Sequence, residues 1–310
     1  MTHESVLALF LTVGSKYFLT AQSAKGPLIN LGQQAGYFQG DIQLPSKNRN
    51  AILRAKRWTD GIVYYDLGNQ WDKDQLAMIN EAMEAIEKST CIRFKPWTNE
   101  ANYVTIRNTR GGCFSTGAGM QGGVQQISLQ DDESSSCFSH GIIVHELLHC
   151  IGLWHEQSRH DRDDHITIHW ENLFNSSTIR WQFRKIPETE SSTYGIPYNY
   201  LSIMHYDAFT AAINAGVTME PKDKAYLYEI GNQAYGHELD WEKVRRIYEC
   251  KGTYTPAPTT PVPCEDSIGY CATYLDQCGK ALWTISSCRK TCGFCRGSTS
   301  QGPEPTEKPT

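Results

Sequence analysis

The chain has 310 residues, 40% of them hydrophobic, a formal net charge of −5 and a pI near 6.1. That length exceeds one ordinary domain, so a single core with appendages is expected. The acidic balance gives no reason to expect nucleic acid or an anionic membrane as partner, and no apolar run reaches the roughly 18 residues of a membrane span.

In chain order, Val6, Leu7, Ala8, Leu9, Phe10 and Leu11 open a short apolar run, and Ala21 and Ser23 supply small residues for cleavage. Residues 1–23 are therefore expected to be a secretory signal, although residues 1–5 carry no Lys or Arg. Eleven cysteines, six of them from Cys264 onward, independently fit an oxidising compartment. Residues 24–49 have little periodicity and are expected to run extended; they contain Phe38-Gln39-Gly40-Asp41 and end on the basic Lys47-Asn48-Arg49.

Past this stretch, residues 61–65 read as a strand from β-branched and aromatic content. From 73 to 88, Leu76, Ile79, Met83 and Ile86 recur at helical spacing, which predicts an amphipathic helix on a sheet. Residues 92–94, 103–106 and 124–129 are further strands, and the glycines between 111 and 123 mark loops. Ser139 is placed to cap a helix beginning near 140. A last helix is predicted over 239–248, with Val244, Ile247 and Tyr248 on one side. This order suits an α+β domain over 50–251, with a regular upper lobe and a less regular lower one. Residues 252–263, rich in Thr and Pro, cannot form a core and read as a stiff linker. Residues 264–295 hold six cysteines, and 296–310 form a polar, disordered tail. Asn175-Ser176-Ser177 is an N-glycosylation sequon.

The stretch from His145 to His155, His-Glu-Leu-Leu-His-Cys-Ile-Gly-Leu-Trp-His, carries the chemistry. On a helix His145 and His149 lie one turn apart on one face, so both rings can reach one ion. Glu146 is displaced around the helix and is placed to take a proton from a water on the metal. Gly152 lets the backbone leave the helix through a left-handed conformation, returning His155 to the same ion. Three neutral nitrogens leave a coordination position open, as in catalytic rather than structural zinc sites. A bare His-Glu-x-x-His can also be a helix with two surface histidines; the extension through Gly152 and His155 argues against that. Cys150 points away from the shared face and reads as a small buried thiol. His140, His160, His165, His169 and His205 are not assigned to the metal.

The extended motif, followed some fifty residues later by Ser202-Ile203-Met204-His205-Tyr206, resembles the metzincins. With Glu156 directly after the third histidine and Tyr206 two after Met204, the chain is more closely similar to the astacin family of zinc endopeptidases. That resemblance runs from about Phe38 to Cys250. It implies a two-lobed fold with the zinc helix on the cleft floor and Met204 in a Met-turn beneath the ligands. It also implies that Tyr206 switches between the metal and the transition state. Asp41 would fill the open zinc position in a zymogen, although Gly40-Asp41 alone could be an ordinary turn. Cleavage after Arg49 would start the mature enzyme at Asn50 or Ala51, whose ammonium would pair with Glu156. Without the resemblance, Glu156 reads as a solvated acid. The family further implies Cys91–Cys250 and Cys113–Cys137 bridges. Arg110-Gly111-Gly112-Cys113-Phe114 lacks the adjacent cysteine pair of procollagen-processing astacins, which disfavours that role.

In the terminal module, six cysteines allow fifteen pairings and spacing alone does not choose. Its run from Cys288 to Cys295 resembles a ShK toxin-like domain, which implies Cys264–Cys295, Cys271–Cys288 and Cys278–Cys292. Leu282-Trp283 stands where channel blockers of that family place a lysine and an aromatic residue, so pore blocking is disfavoured.

The expected function is a secreted, zymogen-activated endopeptidase with one catalytic Zn2+, acting on protein or peptide substrates. Contact with extracellular matrix or a receptor is expected through the ShK-like module. The alternative is a secreted binding or channel-modulating protein acting through that module; the intact Glu146 and ligand set argue against it.

Overall fold

The computed structural model describes residues 37–44, 56–132, 135–213, 216–254, 271–278, 288 and 290–293. The expected signal peptide, the Arg49 cleavage point, most of the linker, Leu282-Trp283, the Cys264–Cys295 bridge and the tail lie outside them.

The upper half is a five-stranded sheet in the order β2-β1-β3-β5-β4. Strand β1 (Ile62–Asp66) runs parallel to β2 (Arg93–Pro96) and β3 (Tyr103–Arg107), and β3 runs parallel to β5 (Val124–Leu129). The antiparallel edge strand β4 (Cys113–Ser115) falls in the stretch expected to be glycine-rich loop. Its three residues are all buried, so no apolar–polar alternation marks it in the sequence. A short β6 (Asp131–Asp132) and β7 (Ser135–Ser136) pair follows.

Helix α1 (Lys73–Ser89) opens on a capping box between Asp72 and Gln75 and buries Ile79, Met83 and Ile86. It packs against α2 (His140–Ile151), which is buried from Gly141 to Ile151. A helix buried on all sides lies in the core, and α2 carries the motif residues His145, Glu146 and His149 into it. The lower half is less regular, with β8 (Ile166–Ile168) paired to β9 (Met219–Pro221), a short α3 (Ser177–Gln182) and several single 3-10 turns. Its own cluster includes Ile166, Phe183, Tyr198, Tyr206 and Met219. Helix α4 (Glu238–Tyr248) returns to the upper core through Trp241, Val244 and Ile247.

Disulfides join Cys91 to Cys250, 159 residues apart, and Cys113 to Cys137. In the terminal module Cys271 is joined to Cys288 and Cys278 to Cys292. Cys150 is a free thiol among the described residues, and burial pushes its pKa up to about 12.

Residues 37–44 correct the expectation of a simply extended segment. Phe38 and Ile42 exchange backbone hydrogen bonds of 3.1 and 3.0 Å, which folds Gln39-Gly40-Asp41 into a tight turn. Beyond it the chain runs parallel to β4, with Gln43 N–H donating to Ser115 O at 2.9 Å and Ser115 N–H to Asp41 O at 3.0 Å. The segment thus lies along the sheet edge and pairs with it at a single parallel bridge, Ile42 to Ser115.

Candidate metal centre and active site

Helix α2 begins where the Ser139 hydroxyl accepts from Ile142 N–H at 3.3 Å, and it ends at Gly152. Gly152 adopts φ 117°, and its N–H caps the carbonyls of Leu148 and His149. This left-handed exit turns the chain so that His155 returns to the face shared by His145 and His149. Nε2 of His145 and of His155 lie 3.2 Å from Asp41 Oδ2, and Nε2 of His149 lies 3.4 Å from Asp41 Oδ1. The four ligand atoms fall within 4.8 Å of one another, a group that could hold one metal ion.

Each ring is oriented from its other side. His145 Nδ1 is 2.7 Å from Ile203 O, His149 Nδ1 is 2.8 Å from Leu153 O, and His155 Nδ1 is 3.1 Å from Gln39 Oε1. With Nδ1 committed to an oxygen, Nε2 presents its lone pair inward, which is what a metal requires. Burial holds His155 down to about 3 and lowers His149, so both rings are neutral near pH 7.

Glu146 is fully buried, and burial followed by the Asp41 charge pushes its carboxyl well above the ordinary range. Neither of its oxygens has a hydrogen-bond partner in the described structure. A buried carboxylate without a partner is costly, and it suits a group that must exchange a proton with something bound at the centre. Neutral nitrogens on one side and this acid on the other fit a catalytic zinc ion.

Met204 is buried in the upper core. Its turn is organised by Asp240 of α4, which accepts from the Ser202 hydroxyl at 2.5 Å and from Ile203 N–H at 3.0 Å. Tyr206 donates its hydroxyl to the Gln39 carbonyl, and its N–H donates to Gln157 Oε1 at 3.0 Å. Burial and then the Asp41 charge raise its phenol well above 10. The Phe38 ring packs between Trp154 and Trp181, at centroid distances of 5.8 and 4.6 Å.

Glu156 is not a solvated acid; it is 3% exposed. Oε1 accepts from Arg159 at 2.8 Å and from Asn199 N–H at 2.9 Å, while Oε2 accepts from Lys243 at 3.2 Å. Burial would raise its pKa, but Lys243 and then Arg159 lower it. Lys243 lines a cavity of about 400 Å³ together with Arg57, Gly152, Trp154 and Tyr194. Asn50 and Ala51, and with them the expected pairing of the new N-terminus with Glu156, lie outside the described residues. Asn175 is exposed just ahead of α3.

Sequence reasoning does not single out Asp240, Lys243 or a role for Gln39. Glutamine is not a distinctive residue type at its position, and the other two reach the site from a helix far along the chain.

Residues 50–249 match the family model for Astacin, a peptidase family, and 263–295 match that for ShK domain-like sequences. The chain is 32% identical over 301 residues to zinc metalloproteinase nas-6 of Caenorhabditis elegans, covering 86% of this chain and 85% of the relative. It is 31% identical to meprin A subunit beta of Mus musculus, over 72% of this chain and 30% of that protein. Among solved structures it resembles high choriolytic enzyme 1, a hatching enzyme zinc-protease of Oryzias latipes. That match has 32% identity and a TM-score of 0.56, over 64% of this chain and 94% of the other. No helix of the described residues is long and apolar enough to cross a membrane. The family match across the whole catalytic region, together with the shared fold, shows that the chain belongs to the astacin family and is a zinc metalloendopeptidase carrying a ShK-like module.

Proposed function

We propose that this chain is the secreted precursor of a zinc endopeptidase, silenced by its own prosegment and released by cleavage near Arg49. His145, His149 and His155 would hold the zinc ion, which when bound acidifies water and polarises the substrate carbonyl. Glu146 takes a proton from the attacking water and delivers it to the leaving amine. Once Gln39 is gone, the Tyr206 hydroxyl is free to donate to the negative charge that develops on the carbonyl oxygen. Met204 and Gly152 support the site, the first from beneath and the second by turning the chain toward His155. The ShK-like module would dock matrix or a receptor, and Asn175 would carry a glycan.

The observation that supports this reading most is the Asp41 carboxylate at 3.2–3.4 Å from three ring nitrogens. It occupies the place a substrate would need, and it arrives on a segment upstream of a basic cleavage stretch. The test is a Glu146→Ala variant of the matured chain. It is expected to retain one equivalent of zinc and lose peptide hydrolysis; undiminished hydrolysis would overturn the mechanism.

A further inference from the structure

One of the three imidazoles differs in where its outer nitrogen is held. His145 and His149 rely on the carbonyls of Ile203 and Leu153, both inside the catalytic domain. His155 relies on the side chain of Gln39, which belongs to the segment upstream of the expected cleavage point. If His155 Nε2 holds the zinc ion, as proposed above, that nitrogen offers its lone pair to the metal and the ring proton belongs on Nδ1. Gln39 is then the acceptor, with its amide oxygen turned to the ring.

The placement of Gln39 is unusual on other grounds. It is fully buried, its backbone adopts φ 50°, and its amide nitrogen has no partner in the described structure. A polar side chain held inside on a left-handed backbone persists only where its surroundings over-determine it. Its backbone carbonyl meanwhile accepts the Tyr206 hydroxyl.

We propose that Gln39 is a positioning residue for the metal centre: it supplies the outer hydrogen-bond partner of His155 in the uncleaved chain, so that the zymogen holds zinc more tightly than Asp41 alone would achieve. This rests on the ligand set and prosegment proposed above, but it concerns zinc affinity rather than silence. Cleavage then removes two supports of the ion together, the Asp41 carboxylate and the acceptor that fixes the His155 ring.

The test uses the full uncleaved chain, with zinc titrated against a chromogenic chelator. Outer partners of metal-bound histidines are worth roughly 10–100-fold in affinity. Gln39→Leu keeps the bulk and the backbone carbonyl but removes the acceptor, and it is expected to bind zinc at least about tenfold more weakly. Gln39→Glu restores an acceptor and is expected to bind at least as tightly as the natural chain. If Gln39→Leu fails to fold, Gln39→Met carries the same expectation. An apolar variant within about twofold of the natural chain, far short of that range, overturns the proposal. So does a Gln39→Glu variant as weak as the apolar one, because bulk rather than the acceptor would then be responsible. His155→Ala separates the two levels: if it leaves affinity unchanged, the ligand reading itself fails. If it weakens binding while Gln39→Leu does not, only the role of Gln39 falls.

Discussion

The ammonium of Lys243, on α4, lies 3.2 Å from the carboxylate of Glu156, the residue that follows the third motif histidine. Arg159 occupies the other oxygen at 2.8 Å, so two cations already neutralise this buried acid in the uncleaved chain. A new N-terminal ammonium pairing with Glu156 would be a third, and Lys243 borders the cavity from which it would come. Breaking a buried pair costs about 3–5 kcal/mol when the remaining charge is left alone. With Arg159 still in place, Lys243→Met is expected to destabilise the uncleaved chain by about 2 kcal/mol. In the matured enzyme the ammonium can substitute, so the loss should be at least halved. Urea unfolding of both forms measures this, and equal losses would mean that the N-terminus does not reach Glu156.

Asp41 places a buried charge against three rings, so Asp41→Asn should weaken the prosegment's hold without removing its strand pairing to β4. Uncleaved Asp41→Asn is expected to hydrolyse a quenched peptide at least about tenfold faster than the uncleaved natural chain, a change of about 1.4 kcal/mol. Mass analysis after the assay checks that no cleavage near Arg49 explains the gain. An uncleaved variant as silent as its parent would show that the turn blocks the cleft without help from this charge.

His205 lies between Met204 and Tyr206, with Nε2 2.8 Å from the Tyr198 hydroxyl. Burial lowers its pKa from 6.5 to about 4. Between those values the unfolded chain binds a proton that the folded chain refuses, so stability falls as pH drops through this window. His205→Gln removes the titration along with part of the hydrogen bonding. It should be less stable than the natural chain at pH 7, and the gap should narrow by up to about 3 kcal/mol on going to pH 4. Thermal melts of both chains at matched pH test this; a gap independent of pH would show that the ring accepts its proton while folded.

The Cys91–Cys250 bridge closes a loop spanning 159 residues of separation. Chain-entropy reasoning puts its contribution at about 4–5 kcal/mol at most. The double Cys→Ser variant is expected to lose several kcal/mol, on the order of that bound, in chemical unfolding. Cys113 and Cys137, 24 residues apart, should lose less.

What was legible in the sequence is what local spacing encodes. His145, His149, Gly152 and His155 are ordered by helix geometry and one left-handed turn, so their convergence follows from eleven residues. Ile79, Met83 and Ile86 mark the buried face of α1 for the same reason. By contrast, β4 is an edge strand with no alternation, paired along its length with β5 and at Ser115 also with Ile42. Glu156 looks like any surface acid until Arg159, Asn199 and Lys243 are assembled around it. The turn at Gln39 was hidden because it depends on what the cleft offers: the Tyr206 hydroxyl and the His155 ring have to be in place before a buried, left-handed glutamine makes sense.

The backbone bonds of Ser115 to Asp41 and Gln43 also bear on how copies of the chain meet one another. A sheet rim left open is a template on which neighbouring copies can polymerise. At Ser115 that rim is already occupied by the chain's own residues 41–43, so this part of the edge is closed to a neighbouring copy.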